Sequence, residues 1–359
     1  MNFIFPEVEL GQDILPLVSV IVPHYNGFER LDRCLTSLEK TIRVNLEIIV
    51  ADDCSTDNSA DLIQYEHPTI KIVKTASNSG YGTACNTGFK IAKGEFVVFL
   101  NNDTEVEPDW AYELISSMIK DAFYIATPKI LFLENKNIIN AEGGSCDKLG
   151  MGVNRNNGSV NYNHVSRLET TFYGSACLAV KASLFEALHG YDESYYMYSE
   201  DVDLCWRAHL IGHKTLYVPS SIVYHSWMGT TKSAYFSLTY QLRNSLTTII
   251  KNYSLVTLIY TVPASILLML GEVIYFSISA RKMSKNILSG IKWNLINIRQ
   301  TLLKRRAIQK TRIVRDAVIK AEMETFSFSF KVFLRSHETP ILPRILSLKL
   351  EKQEEIIQR

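Results

Sequence analysis

The chain has 359 residues, 47% of them hydrophobic and 21% charged, and a formal net charge of +1. This length is ample for a large buried core and suggests two domain-sized units, or one large domain with an appendage. The balanced total hides an uneven distribution, because residues 281–320 contain twelve lysines and arginines but a single acid, Asp316. A basic block of this density indicates an anionic partner, either a nucleic acid or a membrane surface.

The six cysteines argue against two kinds of stabilising framework. They are scattered along the chain and include no Cys-x-x-Cys pair, so the sequence shows neither a zinc site nor a disulfide pattern. We therefore expect reduced thiols in a cytosolic setting. Residues 1–16 carry three acids and no basic segment, which is not the pattern of a secretory signal, and we expect an N-terminal extension there.

Strands and helices alternate through the first hundred residues. β-rich runs end in polar turn residues, and apolar residues then recur at helical spacing. The predicted strands cover residues 17–22, 46–51, 70–73 and 94–100, and the predicted helices cover 29–42, a segment ending near 65, and 83–92. We expect Ser55 or Thr56 to cap the second helix. The alternation predicts a mostly parallel α/β sheet of the nucleotide-binding type.

Two common phosphate-binding motifs are missing from this part of the chain. It has neither the Gly-x-Gly-x-x-Gly turn of dinucleotide folds nor the Gly-Lys-Ser/Thr of a phosphate loop. Their absence argues against a dehydrogenase and against an ordinary ATPase.

The fourth predicted strand ends in polar side chains. Its run of Phe, Val and Leu suits a strand buried on both faces, and it leads into Asn101, Asn102 and Asp103. Open α/β sheets bind their ligands at this carboxyl edge. A carboxylate there can ligate a divalent cation that binds phosphate oxygens, whereas the plainer interpretation is a turn.

The remainder of the first 235 residues has a weaker pattern. We predict helices at 109–120 and 182–188 and a third ending near 212, with strands at 175–180 and 215–219. Residues 222–226 follow the last of these strands. Residues 121–173 look less regular, with a loop rich in Gly and Asn at 142–163. Glu200, Asp201 and Asp203 open a helix, where the helix dipole favours an ionised carboxylate that can accept a proton. The plainer interpretation of these acids is helix capping, and that of His225 is an ordinary satisfied histidine.

Five spaced motifs, in this order, resemble those of the family 2 glycosyltransferases, and within them the rhamnosyltransferase-like branch that builds bacterial or archaeal surface glycans. The motifs are Pro23-His24-Tyr25-Asn26, Asp52-Asp53-Cys54-Ser55-Thr56-Asp57, Asn78-Ser79-Gly80-Tyr81-Gly82, Asn101-Asn102-Asp103 and Tyr198-Ser199-Glu200-Asp201-Val202-Asp203-Leu204. The resemblance spans residues 17–230. It implies the GT-A fold, a nucleotide-sugar donor, a divalent cation (Mg²⁺ or Mn²⁺) and inversion at the anomeric carbon.

The resemblance also implies roles for individual residues. The donor-binding positions would be Pro23, Tyr25, Asn26, Asp52, Asn78, Gly80, Asn102 and Asp103. Of these, Pro23, Tyr25 and Asn26 would line the pocket for base and ribose, and Asp52 would contact the base. Asp103 corresponds to the last acid of the family's metal-binding Asp-x-Asp motif.

The implied catalytic base is Asp201, with Glu200 as a neighbour that contacts the acceptor. His225 stands where many members of the family have a histidine that reaches the metal. The sequence departs from the full Asp-x-Asp pattern at Asn101, which is an amide. We therefore expect a metal site that depends on Asp103, the donor phosphates and His225.

The last third of the chain is apolar and then basic. Residues 252–271 carry no charge, Glu272 interrupts, and 273–280 are apolar again. One membrane span would place the catalytic domain and the basic block on opposite sides, and Pro263 and Glu272 should break up the run. We therefore expect helices that lie in, or dip into, the membrane interface, with basic side chains on anionic headgroups. The alternatives are a soluble helical subdomain and, less well supported, nucleic-acid binding, which we do not expect.

These observations predict an α/β GT-A domain at 17–235 and a helical, membrane-associated region at 236–359. The predicted activity is transfer of a sugar to a glycan, expected to be lipid-linked, at the cytoplasmic face of the membrane. A sugar nucleotidyltransferase is an alternative, but residues 23–27 lack the expected Gly-rich, basic activation loop. A catalytically silent glycan-binding module is another. The sugar and the oligomeric state stay open, although the loop at 142–163 and residues 195–198 are the expected specificity elements.

Overall fold

The structure is a computed structural model that describes residues 15–161, 168–226 and 234–325. Most of the expected N-terminal extension, the end of the loop at 142–163 and the last part of the C-terminal region lie outside the described residues.

Twelve strands are present in the described part of the chain. In chain order they are β1 (Val18–His24), β2 (Leu46–Asp52), β3 (Lys71–Lys74), β4 (Phe96–Leu100), β5 (Thr104–Val106), β6 (Ile125–Phe132), β7 (Asn135–Glu142), β8 (Gly144–Cys146), β9 (Gly152–Asn154), β10 (Glu169–Thr171), β11 (Cys177–Lys181) and β12 (Thr215–His225). Ten of them form one sheet with the order β10-β12-β6-β11-β4-β1-β2-β3, in which β5 also pairs with β12 and β7 with β6. β8 and β9 form a separate hairpin.

The helices lie between and after these strands. They are α1 (Phe28–Leu38), α2 (Ser59–Glu66), α3 (Tyr81–Phe89), α4 (Trp110–Lys120), α5 (Ala182–Ala187), α6 (Glu200–Leu210), α7 (Ala234–Asn252), α8 (Leu255–Ser279), α9 (Arg281–Ile296), α10 (Ile298–Thr311) and α11 (Asp316–Ala321). A short 3₁₀ turn at Glu193–Tyr195 precedes α6.

Parallel pairing brings the polar ends of several strands to one edge of the sheet. β1 pairs in parallel with β2 and with β4, and the register sets His24 beside Asp52. β12 runs antiparallel to β5, with His225 opposite Thr104. The residues that follow β1, β2 and β4 therefore meet the end of β12, which is the edge where an α/β sheet binds its ligand.

The sheet is buried on both faces, as the continuous apolar run of β4 predicts. All five residues of β4 are buried, and all seven of β1. One hydrophobic cluster continues from the sheet through α6 into the C-terminal helices, and it includes Trp206, Leu246 and Tyr253. The C-terminal helices therefore pack directly on the sheet domain.

Three local expectations are wrong. The N-cap residue of α2 is Asn58 and not Ser55 or Thr56. The backbone N–H groups of Ser55 and Thr56 instead donate to the side chains of Asp52 and Asn26. Residues 121–173 are not irregular: β6 and β7 pair in the main sheet, and β8 and β9 form a hairpin within the Gly- and Asn-rich loop. The polar side chains of Thr127 and Lys129 on β6 are buried, and β6 also pairs with β12, far along the chain, which periodicity does not detect.

The third correction concerns the apolar run after Asn252. α8 continues through both Pro263 and Glu272. Among the described residues, α8 is the one helix that is both long and apolar enough to cross a membrane. In its most apolar stretch, 28% of the residues are buried inside the protein. Such a helix also occurs in the cores of soluble proteins, so length and composition alone do not decide its environment.

Candidate active site

The loops after β1 and β2 are fastened to each other by hydrogen bonds. The backbone N–H of Thr56 donates to Oδ1 of Asn26 at 2.8 Å, and the N–H of Asn26 donates to Oγ of Ser55 at 2.9 Å. Asn26 has φ of 53°, a left-handed conformation that Asn tolerates better than most residues. The ring of Tyr25 projects into solvent and is 41% exposed, while Pro23 is buried within β1. Two of the five motifs are thus joined in one loop pair, with an aromatic ring at its surface.

The two aspartates after β2 have different surroundings. Asp52 is 1% exposed, accepts from the N–H of Ser55 at 3.1 Å and lies 4.0 Å from Nζ of Lys74. The carboxylate of Asp53 accepts from the N–H groups of Ser79 and Gly80, the latter at 2.7 Å. Asp53 therefore holds the 78–82 loop against β2. It was not among the predicted site residues, although its place in an Asp-Asp pair at a strand end was a usable signal.

Gly80 is required by a close backbone approach. It has φ of +92°, and a Cβ at this position would lie 2.0 Å from the carbonyl oxygen of Tyr196. The N–H of Tyr81 donates to that same carbonyl at 2.8 Å, and the Tyr196 hydroxyl donates to Oδ1 of Asn78 at 2.8 Å. These contacts bring the predicted donor residues Asn78 and Gly80 against the segment that leads into α6.

A buried histidine joins the ends of β1 and β4. Nδ2 of Asn102 lies 2.9 Å from Nδ1 of His24, and Nε2 of His24 lies 2.8 Å from Oγ of Ser59. Burial lowers the pKa of His24 to about 4, so the ring is neutral at pH 7. Because the amide nitrogen of Asn102 can only donate, Nδ1 accepts and Nε2 carries the proton towards Ser59. His24 was not predicted, and it fixes one side of the Asn102 amide.

The sheet register brings Asp103 and His225 together. Oδ1 of Asp103 lies 3.2 Å from Nε2 of His225, and the Asp103 carbonyl accepts from the N–H of Ser226 at 2.9 Å. Burial lowers the pKa of His225, but the Asp103 carboxylate more than offsets this and holds the pKa above its usual value. Two residues more than 120 positions apart thus form one carboxylate–imidazole pair.

The side chains in this pair fit a divalent cation only in part. The described residues contain no group of three or more His, Cys, Asp or Glu side chains arranged to hold a metal. Asp103 and His225 offer one oxygen and one nitrogen ligand, and Asn101 occupies the position of a further acid. Mg²⁺ commonly binds through one or two carboxylates, with substrate phosphates and water as its other ligands. The site therefore suits a cation that arrives with a diphosphate.

A second acidic pair opens α6. Glu200 is buried, and its Oε2 has no hydrogen-bond partner among the described residues, whereas Asp201 is partly exposed. Burial raises the pKa of both carboxyls, and the Asp201 charge raises that of Glu200 further, while the Val202 N–H opposes the rise at Asp201. A carboxylate with a raised pKa is a stronger base, so Asp201 can take a proton near neutral pH.

The other acids near α6 have structural roles. Asp203 is fully buried and accepts from Nε of Arg207 at 2.8 Å, and Nζ of Lys251 lies 2.9 Å from it. Lys251 also contacts Asp192 at 2.5 Å, and Lys304 forms a further ion pair with Asp192. This ion-pair network joins α7 and α10 to the sheet domain.

Sequence comparison places the chain among sugar-transferring enzymes. The family model described as Glycosyl transferase family 2 matches residues 19–188. A relative from Mycobacterium tuberculosis, N-acetylglucosaminyl-diphospho-decaprenol L-rhamnosyltransferase, is 28% identical over an alignment of 241 residues that covers 59% of this chain and 76% of the relative.

Two solved structures have a similar fold. GalNAc-T7 with UDP, GalNAc and Mn²⁺ is 20% identical, with a TM-score of 0.54 over 66% of this chain and 49% of that one. A mannosyltransferase from Pyrobaculum calidifontis in complex with GDP-Man and Mn²⁺ is 14% identical, with a TM-score of 0.50 over 88% of this chain and 90% of that one. The expected fold class is confirmed: a GT-A α/β fold with a mostly parallel central sheet and a C-terminal helical region.

Proposed function

The chain belongs to glycosyltransferase family 2, in its rhamnosyltransferase-like part, and from this premise we propose that it is an inverting enzyme with Asp201 as its general base. The observation that carries the proposal is the Glu200–Asp201 pair at the start of α6. Its pKa values are raised by burial, and the segment just before it lies against Gly80 and Asn78 of the predicted donor loop. These observations support a base of suitable strength beside the expected position of the donor sugar.

The reaction would be a single displacement. Asp201 accepts the proton of an acceptor hydroxyl as that oxygen attacks the anomeric carbon, and the bond from this carbon to the nucleoside diphosphate breaks. Attack from the side opposite the leaving group inverts the configuration, and no carboxylate nucleophile is needed. Glu200, whose pKa is raised by burial and by Asp201, would stay protonated and donate a hydrogen bond to the acceptor.

The donor would bind across the edge built by the loops after β1, β2 and β4. Tyr25 and Asn26 would face the base and ribose, and Asp52 would contact the base. Asn78 and Gly80 would lie closer to the sugar, because they adjoin Tyr196. The β8–β9 hairpin would contribute to specificity, since Gly152 packs on Val202 next to the catalytic pair.

Asp103 and His225 would hold a Mg²⁺ or Mn²⁺ ion together with oxygens of the donor diphosphate. The cation would offset the negative charge that develops on the leaving diphosphate. Asn102, held by His24, would keep the end of β4 in place for this contact. Both solved structures named above contain Mn²⁺, which supports this cofactor.

The acceptor would be a lipid-linked glycan at the cytoplasmic face of a membrane. The relative's name specifies a diphospho-decaprenol acceptor, and α8 carries an exposed apolar stripe. Its outward side chains that are at least two-thirds exposed are Leu255, Val256, Ile259, Leu267, Ile274 and Ile278. At the start of α8, a groove of about 390 Å³ adjoins Leu302 and Arg306 of α10, so apolar and basic groups share one surface. An anionic membrane surface complements this combination.

The proposal is tested by measuring nucleoside diphosphate release from a panel of nucleotide-sugars, with Mg²⁺, Mn²⁺ or EDTA. We expect cation-dependent release with one donor, and a loss of about 100- to 10,000-fold in kcat for Asp201→Asn with the donor still bound. Near-wild-type transfer by Asp201→Asn would refute the assignment of the base. Flotation with phosphatidylglycerol vesicles, but not with phosphatidylcholine vesicles, tests the membrane surface, and failure to float with either favours a soluble helical subdomain.

A further inference from the structure

The backbone just before the catalytic pair is held in an unusual conformation. Tyr196, Tyr198 and Ser199 have φ values of 63°, 67° and 65°, and none of them is glycine. Left-handed backbone is sparsely populated by such residues and persists only where surrounding contacts fix it. The position of Glu200 and Asp201 therefore depends on what holds the preceding four residues.

Helix α7 supplies those contacts through one amide. Nδ2 of Asn244 donates to the carbonyl oxygens of Tyr195, Met197 and Tyr198, at 3.1, 2.9 and 2.7 Å. Asn244 is 1% exposed, so these bonds form away from water. The amide shares its two N–H groups among these carbonyls, of which that of Tyr195 also accepts from the Arg243 guanidinium. Loss of the amide therefore removes hydrogen bonds from buried carbonyls, which is costly.

The orientation of this amide is itself fixed. Nε of Arg243 donates to Oδ1 of Asn244 at 2.8 Å, which leaves Nδ2 to face the carbonyls. The Arg243 guanidinium also bonds to the carbonyl of Ser194 at 3.2 Å and lies 4.4 Å from the centre of the Trp293 ring on α9. The amide is thus held by α7 and α9 together, both of them outside the α/β sheet.

The opposite side of segment 195–199 is held by the loop at residues 78–82, which is the predicted donor loop. The carbonyl of Tyr196 accepts from the N–H of Tyr81, and the Tyr196 hydroxyl donates to Asn78. The segment 195–199 therefore lies between the donor loop and α7, with Asp201 two residues beyond it.

We propose that Asn244 is a positioning residue for the transfer reaction, which holds segment 195–199 so that Asp201 faces the acceptor. The inference rests on the proposed role of Asp201. It assigns the C-terminal helices a part in catalysis that is separate from any contact with a membrane. Misplacing a catalytic group by about 1 Å can cost on the order of 100-fold in rate, so a loosened segment should slow the chemical step.

The experiment compares Asn244→Leu with Thr247→Val, both in the full chain. Thr247 is buried one turn further along α7, and its hydroxyl bonds to Asn294 of α9 at 2.8 Å and to the carbonyl of Arg243 at 3.2 Å. Its variant therefore also loses buried hydrogen bonds, but none to segment 195–199. We expect Asn244→Leu to lower kcat by about 10- to 100-fold and to change the donor KM by less than about threefold. Thr247→Val should keep the wild-type kcat. Asn244→Ala, which lets water reach the carbonyls, serves as a second variant.

Hydrogen exchange of the peptide that covers residues 195–203 gives a readout that does not depend on turnover. We expect exchange in this peptide at least about tenfold faster in the Asn244 variants, and unchanged in Thr247→Val. Wild-type kcat in both Asn244 variants, or unchanged exchange, overturns the inference while the proposed function stands. A wild-type enzyme that turns over no nucleotide-sugar overturns the proposed function, and the exchange comparison then still shows whether Asn244 holds the segment.

Discussion

Replacing Lys251 should reveal how strongly the C-terminal helices are joined to the sheet domain. This α7 residue is 1% exposed, and its Nζ lies 2.5 Å from Asp192 and 2.9 Å from Asp203. Lys251→Met keeps the length of the side chain and removes its charge. Because the two carboxylates stay buried, the loss of their shared cation should lower the free energy of unfolding.

The size of the effect follows from the partners that remain. Breaking a buried ion pair by removing one partner costs about 3–5 kcal/mol. Here Asp203 retains Arg207 at 2.8 Å, and Asp192 retains Lys304. Since each carboxylate keeps one cation, we expect the lower end of this range, about 3 kcal/mol.

Urea unfolding at pH 7 measures this free energy. The double variant Lys251→Met/Asp192→Asn removes one of the stranded charges, and we expect it to recover about 1 kcal/mol or more of the loss. Lys292→Met, on the exposed side of α9, is a matched charge removal that should change stability by less than about 0.5 kcal/mol. If Lys251→Met unfolds at the wild-type urea concentration, or if the double variant is no more stable than the single one, the reasoning is wrong.

Acidic pH should weaken the ion-pair network that Lys251 forms with Asp192 and Asp203. Burial raises the pKa of Asp192, but Lys251 and Lys304 outweigh it and hold the pKa well below its usual range. The folded state thus binds this proton more weakly than the unfolded state, and the contribution to stability is complete above the unfolded pKa near 4. This contribution to stability is lost as the pH falls from about 4 through the pKa that Asp192 has in the folded state. The difference between wild type and Lys251→Met should therefore shrink on acidification.

Three further predictions concern the site. Gly80→Ala, which places a Cβ 2.0 Å from Tyr196, should weaken nucleotide binding measured by calorimetry, whereas Gly212→Ala, with similar φ but nothing within 4 Å, should cost only its backbone strain. Asp103→Asn should weaken the apparent affinity for Mn²⁺ in the transfer assay by about tenfold or more, and unchanged affinity would contradict its role. The rate of transfer should fall with acid near neutral pH rather than near pH 4, because burial raises the pKa of Asp201; an acid limb near pH 4 would contradict this.

Much of the fold follows from local pattern. The apolar run of β4 predicted a strand buried on both faces, and the alternation of strand and helix predicted the parallel half of the sheet, because both signals depend on neighbours in sequence. β6 escaped detection because it pairs with β12, which lies far along the chain, and α8 continues through Pro263 although a local rule stops it there.

The motifs in the sequence indicated the resemblance to the family 2 glycosyltransferases and singled out the loops after β1, β2 and β4 as the candidate donor site. Only the tertiary structure showed that Asp53 and His24 fasten those loops. It also separated the acids near α6 by role, since Asp203 pairs with Arg207 and Lys251 while Glu200 and Asp201 are left with raised pKa values. In sequence these acids look alike.

The sequence by itself determined which chemical groups stand at the end of each strand, because strand, turn and helix signals are local. Only the tertiary structure decided which groups meet. The pairing of β12 with β5 sets His225 beside Asp103, a contact that only the family resemblance had implied. The packing of α7 on α6 sets Asn244 against the segment that leads into α6 and Asp201. The physical reason is that these contacts join residues more than 40 positions apart, and their partners are fixed by sheet register and helix packing rather than by nearby sequence.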